Sequence, residues 1–292
     1  MAYLLDGYTL MHEHITIDLS KVKGDMDCRL DCFEETVKEL KELYGLGVRN
    51  IVDVTNMGMG RNPEYVSRVE ALTGIHILQS TGFYKEPFLP QFVFEDSVEQ
   101  LAKLMTKEIT EGFQDTGIRA DLIGEIGTSK GKMEPMEKKV FDAAILSAKQ
   151  TGKPIYTHTT LGTYALEQVD YFLDRGLSPR QIVIGHIDLS KDLSYIMKVL
   201  EKGVYVGFDT VGKDNYFPDG KRVEFLLELE HRKLQKQVVL SMDLTRKTHL
   251  KYKGGIGYAH LFDKFLPMLR SAGMSETSLQ QMLVENPKEI FR

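Results

Sequence analysis

Gln181-Ile182-Val183-Ile184-Gly185-His186, a helical pattern over residues 193–202, and Val204-Tyr205-Val206-Gly207-Phe208-Asp209 form the stretch on which the fold turns. The outer segments are short, with β-branched apolar runs that end in His186 and Asp209, and they read as strands. The middle segment has helical spacing. A strand joined to the next by a helix pairs with it in parallel, so this is one β-α-β unit.

Outward from that unit the plan repeats. Upstream, Leu10-Met11-His12-Glu13-His14-Ile15 reads as a first strand. Residues 48–54, 74–80, 120–126 and 154–158 give the second to fifth, and 238–243 the eighth. Helices are expected over residues 31–46, 63–72, 96–112, 136–150, 164–175, 221–231 and 259–270, with a last one near 275–285. In the first of these, Phe33, Val37, Leu40 and Tyr44 recur at steps of three and four, which makes one apolar face. A charged loop is expected between His14 and that helix. Eight strands, each followed by a helix, predict an α/β fold of the closed (β/α)8 TIM-barrel type. A doubly wound open sheet is disfavoured because no Gly-x-Gly-x-x-Gly follows the first strand. Residues 1–292 are read as a single domain, with no linker-like run or repeat.

Composition narrows the function. Of 292 residues, 42% are hydrophobic and 27% charged, with a net charge of -5. There is no basic field to attract nucleic acid or anionic membrane, and no apolar run near the ~20 residues of a membrane span. Met-Ala-Tyr-Leu-Leu-Asp lacks the positive region of a signal peptide, so a cytoplasmic location is expected. Cys28 and Cys32 have no second pair and are read as reduced thiols.

Metal-competent side chains stand at the C-terminal ends of five expected strands: His12 and His14, Glu125, His158, His186 and Asp243. In a (β/α)8 barrel all those ends share one face, which carries the active site. Alternation puts His12 and His14 on one side of their strand and turns Glu13 away. Singly, each residue has an ordinary reading as a rim histidine, an N-cap or a buried carboxylate. Six converging on one mouth point to a metal site.

The sequence resembles the phosphotriesterase family of the amidohydrolase superfamily, in its homology-protein branch. The similarity lies in Gly7-Tyr8-Thr9-Leu10-Met11-His12-Glu13-His14, Gly124-Glu125-Ile126-Gly127-Thr128-Ser129, Thr157-His158-Thr159, Gly185-His186-Ile187-Asp188 and Ser241-Met242-Asp243. The resemblance implies a binuclear centre of two divalent metal ions, Zn2+ first. His12, His14 and Asp243 would hold the more buried ion, and His158 and His186 the more exposed one. The acid on strand four would bridge them together with a hydroxide. Better-known relatives bridge with a carboxylated lysine; here Glu125 stands in its place, reaching roughly 3 Å less far. Lys130 and Lys132 lie beyond the strand.

Such a centre would support metal-assisted hydrolysis of a small ester or lactone, with Asp243 as the catalytic proton acceptor. The basic stretch after strand eight, residues 245–258, suggests an anionic small-molecule substrate, a phosphorylated sugar lactone among the options. Arg246 is the first choice as its ligand, then His249 and Tyr258. Phe83, Tyr84, Phe88 and Phe92 either line the mouth or pack their loop down. Asp53, Asn56 and Arg61 are left open as pocket residues. The competing readings are a phosphotriesterase or phosphodiesterase, and a non-catalytic metal-containing binding protein. No nucleic-acid or membrane partner is expected, and a homo-oligomer is left open.

Overall fold

The computed structural model describes residues 3–292. Its centre is one eight-stranded sheet of parallel strands in sequential order, with helices between them. The strands are β1 (Tyr8–Glu13), β2 (Val48–Asp53), β3 (His76–Thr81), β4 (Leu122–Thr128), β5 (Ile155–Thr159), β6 (Ile182–Ile184), β7 (Tyr205–Phe208) and β8 (Val238–Leu240). The expected strands are all present. Those numbered six to eight are shorter than their apolar runs, because the chain leaves the sheet before the polar residue that ends each run.

Inside the barrel, each strand contributes one side chain to an apolar layer: Met11, Val52, Leu78, Leu122, Tyr156, Val183, Tyr205 and Val239. Ile290 and Phe291 join this cluster. A larger core lies between strands and helices and includes Leu10, Ile51, Ile77, Ile123, Ile155, Ile184, Val206 and Leu240. Both faces of every strand are therefore apolar, as the continuous hydrophobic runs require.

The first helices are α1 (Phe33–Gly45), α2 (Pro63–Thr73), α3 (Val98–Thr110) and α4 (Pro135–Thr151). They are followed by α5 (Ala165–Asp174), α6 (Leu193–Leu200), α7 (Asp219–His231) and α8 (Leu266–Ser271). Local chemistry sets their ends. For α2, Asn62 accepts from the Tyr65 N–H, Pro63 opens the first turn, and Gly74 ends it at φ 75°. Two expectations need correction. The stretch after His14 is not a plain loop: Ile17–Asp18 and Arg29–Leu30 pair antiparallel around a short helical turn, Ser20–Lys23. The expected helix over 259–270 begins as a wide π turn, Leu261–Phe265, and the last helical stretch contains another, Gln281–Glu285. A proline, Pro267 or Pro287, lies two residues beyond each; its missing N–H and its ring disrupt the preceding turn. Among the described residues no helix is long and apolar enough to cross a membrane.

Candidate metal centre

The strand ends bring His12, His14, Glu125, His158, His186 and Asp243 to one interior surface. Simple alternation accounts for one of them: His158 follows Tyr156 by two. The rest need local irregularities. Pairing between β1 and β2 shifts register between Leu10 and Glu13, so Met11 and His12, though adjacent, both face inward. A second shift between Ile123 and Ile126 turns Glu125 inward from β4. There, Gly124 has φ 143°, and a Cβ would collide with the Tyr156 carbonyl oxygen. His186 and Asp243 follow their strands in left-handed conformation, at φ 57° and 53°. Non-glycine residues rarely adopt this backbone, and such strain gathers at functional sites.

Glu125 is the hub. Its Oε1 lies 3.5 Å from His14 Nε2, while Oε2 lies 3.2 Å from His158 Nδ1 and 3.5 Å from His186 Nε2. His12 Nε2 is 3.7 Å from both Glu125 Oε2 and Asp243 Oδ1, and His14 Nε2 is 3.2 Å from Asp243 Oδ1. Two donors on one tetrahedral zinc, with bonds of about 2.0–2.1 Å, stand about 3.3 Å apart. These separations fit that requirement. Both ring nitrogens of His12 and Nε2 of His14 are buried without a hydrogen-bond partner, a costly arrangement unless something occupies the space between them. The donor set therefore suits metal ions.

The nitrogens facing away from the centre are anchored. His14 Nδ1 is 2.7 Å from Thr55 Oγ1, and His158 Nε2 is 3.2 Å from Thr160 Oγ1. His186 Nδ1 is 2.8 Å from Asp209 Oδ1. Burial pushes the Glu125 carboxyl up, but the four surrounding histidines outweigh it and hold the group well below the usual carboxylate range. Burial likewise raises Asp243, and Lys213 beside it, with His14, His186 and His12, brings it down below its ordinary value. Burial pulls His158 down to about 4, leaving a neutral ring able to donate a lone pair.

Above this cluster is a pocket of about 260 Å³, sized for a small ligand. Lys23, Lys85, Lys213 and Arg246 line it, with Tyr84, Phe88, Met59 and Leu161. Lys213 was not anticipated from the sequence, and its ammonium contacts Asp243 Oδ2. The strand-three aromatics divide: Tyr84 and Phe88 line the pocket, whereas Phe83 packs edge-on to Phe92 at 5.5 Å. Tyr84 also brings its hydroxyl to 3.1 Å from His158 Nδ1.

The basic stretch after strand eight behaves differently from the expectation. Arg246 lines the pocket, with Nη1 donating to Asp25 and Asp27 at 2.9 and 3.4 Å. Lys247 pairs with Asp31 at 2.8 Å and Lys251 with Glu42 at 2.6 Å, so this charge is largely matched by acids of the 25–42 segment. His249 is not in the pocket lining; its Nδ1 accepts from the Thr245 N–H at 3.2 Å. Tyr258 is fully buried and donates its hydroxyl to the His14 carbonyl at 2.7 Å. Neither lines the pocket, and Tyr258 instead braces a metal-competent strand end. Asp53 accepts from the Thr55 N–H and Asn56 donates to the Glu125 carbonyl, so both support the site from outside the pocket, whereas Arg61 pairs with Glu108 away from it.

Reasoning from sequence also passed over Asp209. It stands at the end of the seventh strand, in phase with inward-facing Tyr205, and the same rule that selects Asp243 would have found it.

A phosphotriesterase homology protein of Escherichia coli is 44% identical over the whole of both chains. A solved structure of an E. coli phosphotriesterase homology protein, with phosphate in its active site, superposes with a TM-score of 0.96 at 45% identity, covering 98% of this chain and 99% of that one. An aryldialkylphosphatase of Saccharolobus solfataricus is 31% identical over 98% of this chain and 95% of its own. A phospho-furanose lactonase of Mycoplasmopsis synoviae, also 31% identical, is matched over 98% of this chain and 87% of its own. The sequence profile of the phosphotriesterase family matches residues 4–291, and this chain belongs to that family.

Proposed function

We propose that the chain is a binuclear metal hydrolase of small anionic esters, a phosphorylated lactone foremost, with zinc as the first-choice ion. The observation that carries this reading is the division of the Glu125 carboxylate. One oxygen faces His14 and the other faces His158 and His186; His12 Nε2 lies 3.7 Å from that second oxygen and equally far from Asp243 Oδ1, the atom it shares with His14. His12, His14, Asp243 and Oε1 would hold one ion, and His158, His186 and Oε2 the other. Two such ions, when bound, would bring the pKa of a shared water near neutrality and polarise a substrate oxygen.

The chain's own residues then orient the substrate and move the proton. Asp243 keeps Oδ1 toward the histidines and Oδ2 toward the pocket and Lys213. From there Oδ2 can take the proton of the attacking water and pass it to the departing alkoxide. Lys213 and Arg246, on the pocket wall, would hold the substrate's anionic group. The names of the lactonase relative and of the phosphate-bearing E. coli structure support this choice. The aryldialkylphosphatase relative favours a second reading, hydrolysis of neutral phosphotriesters. Lys213 and Arg246 are paired with acids, but Lys23 and Lys85 line the pocket with no carboxylate partner among the described residues, and this suits an anion better than a neutral triester.

Elemental analysis of the native chain, with turnover of a phosphorylated lactone against a paraoxon-like triester, tests the proposal. Two ions per chain and preference for the lactone support it; no bound metal, or preference for the triester, would overturn it. Lys213→Ala and Arg246→Ala should each raise KM for the phosphorylated lactone about 10–100-fold, the loss of one charge-assisted bond. The unphosphorylated lactone should be affected much less, and equal effects on both would remove these residues from phosphate binding. Because Glu125 is already a carboxylate, zinc uptake by the stripped chain should be the same in CO2-free and bicarbonate buffers. Loading that rises with bicarbonate would count against Glu125 as the bridge.

A further inference from the structure

Asp209 directly follows β7 and is completely buried. Its Oδ1 accepts from the His186 backbone N–H at 2.9 Å and lies 2.8 Å from His186 Nδ1. Its Oδ2 accepts from the Tyr156 hydroxyl at 2.8 Å and lies 3.4 Å from His12 Nδ1. The place is built for this carboxylate: a Cβ at Gly207 would overlap both Oδ2 and the Tyr156 hydroxyl.

His12 and His186 belong to different halves of the centre. A carboxylate accepts hydrogen bonds and donates none, so His186 Nδ1 carries a hydrogen toward Oδ1, and His12 Nδ1, 3.4 Å from Oδ2 and with no bonded partner, has Oδ2 as the acceptor at hand for its own. A neutral imidazole has one N–H, which leaves the lone pair of each ring on Nε2, the nitrogen turned toward Glu125. Asp209 is not itself placed as a ligand. At 2.8 Å its oxygen and His186 Nδ1 are at hydrogen-bond distance, closer than the about 3.3 Å between two donors sharing a zinc ion.

We propose that Asp209 is a positioning residue common to both metal positions, setting the tautomers of His12 and His186 with one carboxylate. It rests on the binuclear reading, and adds that the two positions share one support. A specific asymmetry follows for Asp209→Asn. The amide keeps one acceptor oxygen, and His186 presents two donors to it. The NH2 group then faces Tyr156 and His12 Nδ1. To accept from it, His12 must move its hydrogen to Nε2, where it blocks metal donation. Asp209→Ala removes the constraint from both rings.

The test is equilibrium dialysis of zinc-loaded protein against graded chelator, with zinc counted by elemental analysis. Nitrogen-15 NMR of the histidine rings and thermal melting of the stripped chain accompany it. Wild type holding two zinc ions supports the binuclear reading by itself; if it does not, that reading fails before Asp209 is tested. Given two, Asp209→Asn should retain one ion near wild-type affinity and bind the other about 10–100-fold more weakly. Asp209→Ala should weaken both. Two ions held by both variants at wild-type affinity, or parallel loss of both ions in Asp209→Asn, would overturn the proposal. A purely structural role would lower the melting temperature of the stripped chain without this split. Should the variants not fold, wild type decides: Nδ1–H signals from both His12 and His186 support the proposal, and their absence refutes it.

Discussion

Asp243→Asn is expected to lower kcat by about 10²–10⁴-fold, the usual contribution of a positioned acid–base group. The backbone should not move, since asparagine tolerates the left-handed conformation found at φ 53° about as well as aspartate. The change is in charge and acceptor count. Asp243 now serves His14 and His12 with Oδ1, at 3.2 and 3.7 Å, and Lys213 with Oδ2. An amide has one oxygen for these two duties. If that oxygen stays with the histidine side, the NH2 group confronts the Lys213 ammonium, and nothing there can accept a proton. Combining the change with Lys213→Met removes the donor–donor clash and isolates the loss of the base. Because Asp243 is also placed as a ligand, zinc content must be measured beside each rate. Full turnover with two ions bound would mean that the proton acceptor lies elsewhere.

The residues of this centre were legible to the degree that strand geometry alone carries them inward. His158 keeps phase with the apolar layer below it, so alternation suffices. Glu125 and His12 do not. They reach the interior through register shifts in β4 and β1, which no count of alternating residues reveals. Their place could be anticipated only from the convergence of strand ends and the family resemblance. Asp209 obeys alternation and was still missed, because an acid at a strand end is as often a turn former as a functional group.

Loop residues were harder to read because their partners are remote in sequence. The basic stretch after β8 looked like an anion site. Its charges are balanced by Asp25, Asp27, Asp31 and Glu42, more than 200 positions away. Lys213 reaches Asp243 because its loop is tied at Gly212, whose N–H donates to Asp219 at 3.0 Å. Asp219 is held in turn by buried Arg222, which also binds Asp188 and Thr210. Only the folded chain brings those groups together. The small antiparallel pair after His14 was overlooked because two-residue strands have no periodicity to detect.

Glu13→Ala should be the most destabilising change near the centre that removes no metal ligand, costing about 3–5 kcal/mol. Among the described residues, β1 and β8 share no backbone ladder, although they are the two ends of the sheet. Glu13 spans that seam. Its Oε1 accepts from Ser241 Oγ and the Met242 N–H, both at 2.8 Å, and Oε2 accepts from the Leu244 N–H at 3.2 Å. Two further contacts cross nearby, from the His12 N–H to Ser241 Oγ at 3.0 Å and from the Asp243 N–H to the His12 carbonyl at 3.3 Å. Alanine would leave three buried donors without their acceptor, each costing about 1–3 kcal/mol unless water reaches it. Glutamine keeps an acceptor for Ser241 and Met242 but turns an N–H toward that of Leu244, so its penalty should be roughly half as large. In a chain of this size the alanine loss corresponds to a fall in Tm on the order of 10 °C. The measurement belongs on chelator-stripped protein, where weakened metal binding at His12 and His14 cannot contribute. A fall in Tm of only a degree or two would mean that apolar packing closes the barrel without Glu13. A large fall, with glutamine between alanine and wild type, would assign the closure to this carboxylate.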